Sequence, residues 1–225
     1  MAHEQIIGAV DQSIEELCKE FRSRPTLFYS EHDMISFFYA LLLRNLPVSK
    51  AHDRDGSEHL LVHLEYPLPF RCAMSGDTFE IKEDNEQTPE GVPYERGYCP
   101  LVVLNPDYVT QYPYEYVKVR DYELYKKVVL PTLDKTKPAV LYGLQFVLHS
   151  DPFPLLQEER SKEAIGAFSA EVNKRADQLA AAQAVPGFMN RIKVLTFVKG
   201  GADEVRTFLF KTLSERPEVL VSFSY

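Results

Sequence analysis

The stretch Ala139–Leu148, AVLYGLQFVL, decides the fold of this 225-residue chain. It is apolar without alternation, which is typical of a strand that is covered on both faces of a sheet. The segment Glu158–Ala182 that follows predicts a long helix, and Arg191–Lys199, RIKVLTFVK, predicts the next strand. Because a long helix lies between two apolar strands, we expect a parallel pair with a right-handed connection.

The elements on either side complete an α/β pattern. Helices are predicted over residues 3–22, 30–45, 121–130 and 203–213, and further strands over His59–Tyr66, Thr78–Lys82, Leu101–Leu104 and Val219–Phe223. Ser30 and Asp33 have the spacing of a helix N-cap, whereas Pro67 and Pro69 disfavour continuation of a strand inside a sheet. We therefore expect a central mixed sheet of about five strands flanked by helices. The whole chain, residues 1–225, is interpreted as one domain, with an N-terminal helix in 1–25 and an acidic strand-loop insertion over 51–97.

The distribution of charge argues against a nucleic-acid-binding surface. The net charge is −8, and residues 51–95 contain eleven acidic and three basic side chains. Proteins that bind duplexes usually present clustered Lys and Arg, and such a cluster is missing here. The expected partner is therefore another protein or a second copy of the chain.

Composition also predicts the compartment. The first twenty residues carry five acidic side chains, which the apolar region of a signal peptide would not tolerate, and the longest apolar run, within Met34–Leu43, is too short to span a membrane. Cys18, Cys72 and Cys99 are odd in number and widely spaced, which favours free thiols over a disulfide framework. We expect a cytoplasmic protein with no membrane partner.

The tyrosines at 98, 108, 112, 114, 116, 122 and 125 form the densest aromatic segment of the sequence. Exposed tyrosines could stack on bases or anchor a protein partner, with Tyr112, Tyr114 and Tyr116 as the candidate binding residues. The alternative is that they cover the sheet edge and pack under a loop, and the pattern favours this alternative.

Five segments together resemble a known superfamily. Glu31 near a helix start, Glu65 in HLEYP, then GYCPLVVLNPD, and then AVLYGLQFVLHSD with the helical EVNKRADQL are similar to the restriction-endonuclease-like, or PD-(D/E)xK, superfamily over about residues 28–199. The resemblance implies an Asp at the start of one strand and Glu-x-Lys on the next, which hold one or two divalent cations for phosphodiester cleavage. It also implies that Leu101–Leu104 lies beside Ala139–Leu148 in a mixed sheet.

The sequence departs from the superfamily pattern at its catalytic positions. Pro100 stands where the metal-binding Asp is expected, and Gly143 and Gln145 stand at the Glu-x-Lys positions. A shift of two residues places Gln145 and Val147 there instead, which supplies no carboxylate or lysine either. The leading interpretation is a catalytically degenerate relative that acts as a binding or interaction module without a cofactor.

Two alternatives remain open. A metal-dependent nuclease with a rearranged site would use Glu65, Asp107 and Asp151 to hold Mg²⁺ or Mn²⁺. An oligomeric scaffold of unrelated α/β fold would use the tyrosine-rich segment to bind its partner.

Overall fold

The structure is a computed structural model that describes residues 2–75, 78–117, 121–149 and 159–224. Its helices are α1 (Ala2–Ser23), α2 (Glu31–Asn45), α3 (Pro106–Val109), α4 (Tyr114–Val117), α5 (Tyr122–Leu124), α6 (Glu159–Ala184) and α7 (Asp203–Leu213). Its strands are β1 (Lys50–His52), β2 (Glu58–Leu60), β3 (Val62–Ser75), β4 (Thr78–Lys82), β5 (Arg96–Leu104), β6 (Val140–His149), β7 (Met189–Val198) and β8 (Val219–Phe223). Short 3₁₀ turns lie at Pro25–Leu27 and Leu130–Thr132, and a π-turn lies at Tyr125–Val129.

A mixed sheet forms the centre of the protein. Within the described residues its six strands lie in the order β4-β3-β5-β6-β7-β8. The strands from β4 to β6 are antiparallel, and β6, β7 and β8 are parallel. The predicted α/β class is confirmed, with six strands in place of about five. The parallel β6–β7 pair and the adjacency of Leu101–Leu104 to β6 are also as expected.

Strand β3 is longer than predicted. It runs on past Pro67 and Pro69 to Ser75, with a shift in register against β5 between Pro67 and Arg71. The prediction was wrong because β4 pairs only with Arg71–Ser75. Around both prolines β3 pairs with β5 alone among the described strands, so this stretch is an edge of the sheet, where proline is tolerated.

The start of α2 fixes the direction of one acidic side chain. Ser30 Oγ accepts a hydrogen bond of 3.2 Å from the Asp33 amide, and the Asp33 carboxylate accepts one of 2.9 Å from the Ser30 amide. This is the capping arrangement that the sequence predicts. It begins the helix at Glu31, so that Glu31 lies in the first turn, beside the end of β6.

The remaining predicted features are placed as follows. Cys18 and Cys99 are buried free thiols, and Cys72 is a half-buried one. The predicted helix over residues 121–130 is an α-turn followed by a π-turn, which buries Tyr125 and Val129. None of the helices in the described ranges combines the length and apolar composition needed to cross a bilayer.

Candidate functional site

The central sheet splits into a fork between β5 and β6. The two strands pair only where Leu101–Leu104 faces Val140–Leu144. Beyond this seam the described part of β5 pairs with β3 alone, and that of β6 pairs with β7 alone. The opening forms a cleft of about 670 Å³ between α2 and α6. Its lining residues are Glu31, His32, Ile35, Leu64, Glu65, Met74, Tyr98, Pro100, Gln145, Glu171, Arg175 and Gln178.

Three residues form a row across the mouth of the fork. Leu64 pairs with Leu101 and Tyr66 with Cys99, so Glu65 lies opposite Pro100. Leu101 pairs with Leu144 in the last rung of the seam, so Pro100 and Gln145 are the first residues beyond it on β5 and β6. One strand spacing, about 5 Å, separates the Cα atoms of Glu65 and Pro100, and Gln145 lines the opening with them. Pro100 and Gln145, two of the positions where the superfamily resemblance expects catalytic groups, therefore both border this cleft.

Glu65 has an unusual backbone conformation. Its φ is +49°, and no other non-glycine residue in the described ranges has a positive φ. A side chain with a Cβ carries an energetic cost in this conformation, so the surrounding structure has to hold it there. Pro100 opposite has no N–H to donate at this rung of the ladder. The exposed Glu65 carboxylate has no hydrogen bond or ion pair to any described residue.

Gln145 is buried at the inner end of the cleft. Its side chain is 3% exposed, and its Nε2 donates a hydrogen bond of 2.8 Å to Gln178 Oε1. The carboxamide oxygen of Gln145 accepts no hydrogen bond from the described residues. The carboxamide oxygen of Gln145 is therefore an acceptor that a ligand could use.

The side chain of Arg175 lies along the edge of β6 that has no neighbouring strand. Its Nη1 donates to Glu31 Oε2 at 2.9 Å and also to the Phe146 carbonyl, and its Nε donates to Glu171 Oε1 at 2.7 Å. Glu31 Oε1 accepts a hydrogen bond of 3.3 Å from the Leu148 amide. The carbonyl and amide that β5 would pair with in a continuous sheet are thus bound by side chains from α6 and α2.

The same network controls the ionisation of these side chains. Burial favours a lower pKa for Arg175, but Glu31 and Glu171 hold that pKa above its ordinary value. Burial favours a higher pKa for Glu171, but Lys174 and Arg175 hold that pKa below its ordinary value. Lys174 Nζ lies 2.7 Å from Glu171 Oε2. Glu31 and Glu171 are thus both paired with the Arg175 guanidinium, and the network favours the ionised form of Glu171.

The cleft does not bring together a set of metal ligands. No group of three or more His, Cys, Asp or Glu side chains with suitable spacing occurs in the described ranges. Of the carboxylates that line the cleft, Glu31 and Glu171 are bound by Arg175, which leaves Glu65 alone. A divalent cation takes six or more oxygen ligands and usually two or more carboxylates when it is held by protein.

Asp107 lies far from this row. It follows Leu104, whose partner Val140 is five residues from Gln145 along β6, which corresponds to about 17 Å. There its Oδ2 is 3.3 Å from His3 Nε2, and its side chain is 52% exposed. Asp151, the third predicted metal ligand, lies outside the described residues.

Gly143 has a packing role in β6. A Cβ atom at this position would lie 2.4 Å from Met189 Sδ, which is far inside van der Waals contact. Gly143 is also absent from the cleft lining, in contrast to Gln145. Gln145 is a catalytic position in both registers that the sequence leaves open, and Val147, the other position of the shifted register, is a buried apolar residue.

The three candidate binding tyrosines are partly buried and contact their own chain. Tyr112 Oη shares a hydrogen bond of 2.7 Å with Thr132 Oγ1, and its ring lies 5.0 Å from that of Tyr108. The Tyr114 ring lies 5.1 Å from the His59 ring. The Tyr116 carbonyl accepts a hydrogen bond of 3.2 Å from Tyr108 Oη.

The chain matches no known family model, and no curated protein or solved structure is significantly similar to it.

Sequence reasoning missed the residues that α6 contributes to the cleft. The sequence analysis identifies no site residue in the helical segment EVNKRADQL, which contains Glu171, Arg175 and Gln178. Their spacing of four and three residues nevertheless places them on one helix face. That spacing of charged and amide side chains is a signal that could have identified them. The exposed apolar rim of Leu64, Met74 and Tyr98 has no comparable signal, because its members come from two strands.

Proposed function

We propose that this protein is a non-catalytic binding module of restriction-endonuclease-like architecture, and that the cleft between β5 and β6 is its binding site. The observation that carries the proposal is the row across the fork. The superfamily resemblance expects a metal-binding Asp at Pro100 and Glu-x-Lys at Gly143 and Gln145, and of these three residues Pro100 and Gln145 line the cleft. Neither side chain is ionisable, and proline has no side-chain ligand atom at all.

The arrangement of the sheet supports the architectural part of the proposal. Leu101–Leu104 lies beside β6 in a mixed sheet, and β6 and β7 are parallel strands joined through α6. These are the neighbours that the resemblance requires. The segments quoted for the resemblance also meet at one place, because Glu31, Glu65, Pro100, Gln145 and Arg175 all line the same cleft.

The electrostatics of the cleft support the non-catalytic part. Metal-assisted phosphodiester cleavage needs carboxylates that are free to hold a cation and a group that positions the attacking water. Here the Arg175 guanidinium neutralises Glu31 and Glu171, so that a divalent cation would have to displace charge-assisted hydrogen bonds to two carboxylates. The size of the cleft, in contrast, is that of an ordinary ligand site.

The rearranged nuclease that would use Glu65, Asp107 and Asp151 has weaker support. Asp107 is on the far side of the β5–β6 seam from Glu65 and contacts His3. A metal ion cannot bridge carboxylates that are more than about 5 Å apart, given metal–oxygen distances of about 2.0–2.6 Å. The two residues cannot share one ion in this arrangement.

Cleavage and metal-binding assays on the intact protein test the proposal. Plasmid DNA, single-stranded DNA and RNA are incubated with the protein in Mg²⁺ or Mn²⁺, and metal binding is measured by calorimetry. We expect no cleavage and no binding at millimolar metal. Metal-dependent cleavage that is lost in Glu65→Gln, but kept in the distant Asp107→Asn, would overturn the proposal.

A further inference from the structure

We infer that the cleft recognises a cationic group, an ammonium or a guanidinium, carried on an apolar body. This inference rests on the proposed function and specifies the ligand of that site. Two groups that line the cleft have no hydrogen bond or ion pair to them from the described residues. These are the Glu65 carboxylate and the Gln145 carboxamide oxygen, and both are hydrogen-bond acceptors.

The cationic group of the cleft is already paired with carboxylates. Arg175 donates to Glu31, Glu171 and the Phe146 carbonyl, and the Gln145 amide donates to Gln178. An anionic ligand would therefore meet the unpaired charge of Glu65 and a guanidinium whose charge Glu31 and Glu171 already offset. A ligand rich in N–H donors instead meets two acceptors in the same cleft, the Glu65 carboxylate and the Gln145 carboxamide oxygen.

The walls of the cleft suit an apolar body next to that cation. Leu64 is 48% exposed, Met74 41% and Tyr98 52%, and all three line the opening. Ile35 on α2 and Pro100 continue the same apolar surface. Large apolar side chains grouped around a concave site are typical of ligand binding, and an aromatic ring beside a carboxylate favours cations through its π face.

The backbone of Glu65 adds a further reason to treat this carboxylate as functional. Its φ of +49° is held between residues that pair regularly with Leu101 and Cys99, so the strained conformation is fixed by the sheet on both sides. A side chain that is kept in such a conformation without a structural partner is pre-organised for an external one.

Two sources could supply the cationic group: a small amine, or a Lys or Arg side chain of a peptide. The small probes are benzamidine and phenethylammonium, with benzoate and benzamide as the anionic and neutral counterparts of the same shape. The peptide probe has one arginine between two leucines, and its control has citrulline in place of the arginine. Binding is followed by amide chemical-shift changes in the intact protein and by calorimetry.

The inference predicts that cations bind and that their binding depends on Glu65. Binding of at least one cationic probe should weaken about tenfold in Glu65→Gln, because an ionic hydrogen bond is lost, and by a smaller factor in Gln145→Ala. The matched control Glu83→Gln removes the same charge from an exposed position outside the cleft and should leave the affinity unchanged. Glu65→Gly accepts a positive φ and should behave as Glu65→Gln, which separates loss of the carboxylate from misfolding.

The opposite outcomes are distinct. Equal cation binding by Glu65→Gln, or a preference for benzoate or benzamide, would overturn the inference about ligand class and leave a binding module in place. Failure of every probe to shift the cleft amides would likewise overturn it. Metal-dependent cleavage would instead overturn the proposed function itself.

Discussion

Glu31 and Arg175 lie 144 positions apart in the sequence, yet their side chains form a 2.9 Å ion pair that joins α2 to α6 across the exposed edge of β6. Glu31 also accepts from the Leu148 amide, and Arg175 donates to the Phe146 carbonyl. The pair therefore has two effects: it satisfies the backbone of a strand that has lost its neighbour, and it removes two carboxylates from the set that could hold a metal.

The substitution Arg175→Met should destabilise the protein by about 1–2 kcal/mol, because it leaves Glu31 and Glu171 facing each other without a cation and the Phe146 carbonyl without its donor. Urea unfolding measures the change. Arg24→Met is the control, since Arg24 and Glu20 form an exposed pair within and just beyond α1, and its effect should stay below about 0.5 kcal/mol. Equal losses of unfolding free energy in Arg175→Met and Arg24→Met would contradict this role of Arg175.

Strands β1 and β2 pair antiparallel in a hairpin whose turn contains Asp53, and acid should weaken this hairpin. The hydrogen bond from His59, 2.8 Å from Asp53 Oδ2, and those from the Ser57 and Asp55 amides lower the pKa of Asp53. A lowered folded-state pKa contributes stability above the unfolded-state value of about 3.9, and that contribution is lost as the pH falls toward the folded-state pKa.

The variant Asp53→Asn keeps an acceptor for the turn amides but removes this dependence on pH. The difference in unfolding free energy between the protein and Asp53→Asn should be constant from about pH 7 to 5 with respect to this carboxyl, and it should shrink below about pH 4. Urea unfolding at several pH values gives the curve. The control Asp55→Asn changes an exposed neighbouring residue, and its curve of unfolding free energy against pH should run parallel to that of the unsubstituted protein. A stability difference between the unsubstituted protein and Asp53→Asn that grows in acid would refute the assignment.

Restoring carboxylates at the fork should create a metal site. Pro100→Asp with Gln145→Glu would set three carboxylates in one row with Glu65, as metal coordination requires. We expect Mn²⁺ binding with a dissociation constant on the order of 1 mM, measured by calorimetry. Pro100→Asn is the neutral control and should bind no metal. Failure of the double variant to bind Mn²⁺, while it remains folded, would show that the fork has lost more than its ligands.

Gly143→Ala should destabilise the protein by about 1–2 kcal/mol, because the new methyl group meets Met189 Sδ and Cε in a packed interior. Met189→Ala should relieve the clash, so that the double variant is more stable than the sum of the single changes predicts. Gly166→Ala is the control in an exposed turn of α6 with nothing within 4 Å, and it should stabilise by about 0.5–1 kcal/mol. Thermal unfolding monitors all four proteins, and strict additivity of the first pair would refute the contact.

The sequence predicts those parts of the fold that depend on local periodicity and local capping. The continuous apolar run in Ala139–Leu148 predicts β6, and the spacing of Ser30 and Asp33 predicts the start of α2. The length of β3 could not be predicted in this way, because Pro67 and Pro69 disfavour a strand inside a sheet. They are tolerated only if the strand on the second side of β3 pairs with residues beyond both prolines. That depends on the pairing of β4 with Arg71–Ser75, which is a tertiary fact.

The candidate site is predicted only in part for the same reason. The sequence singles out Pro100, Gln145 and Glu65, and the register of β3, β5 and β6 brings them into one row. It also proposes Asp107, which follows β5 closely in sequence but lies at the other end of the β5–β6 seam. The ion pair of Glu31 and Arg175 has no local signature, because it forms between two helices whose positions are set by the sheet.

The short seam between β5 and β6 also separates the central sheet into two halves of three strands each. Strands β4, β3 and β5 lie on one side and β6, β7 and β8 on the other, and in the described residues the ladder that joins them is limited to Leu101–Leu104 of β5. Sub-global opening should therefore begin at this line, and the amides of its rungs should exchange with deuterium as one group. A ligand that fills the fork would contact both halves at once, so it would slow that exchange far from the atoms it touches.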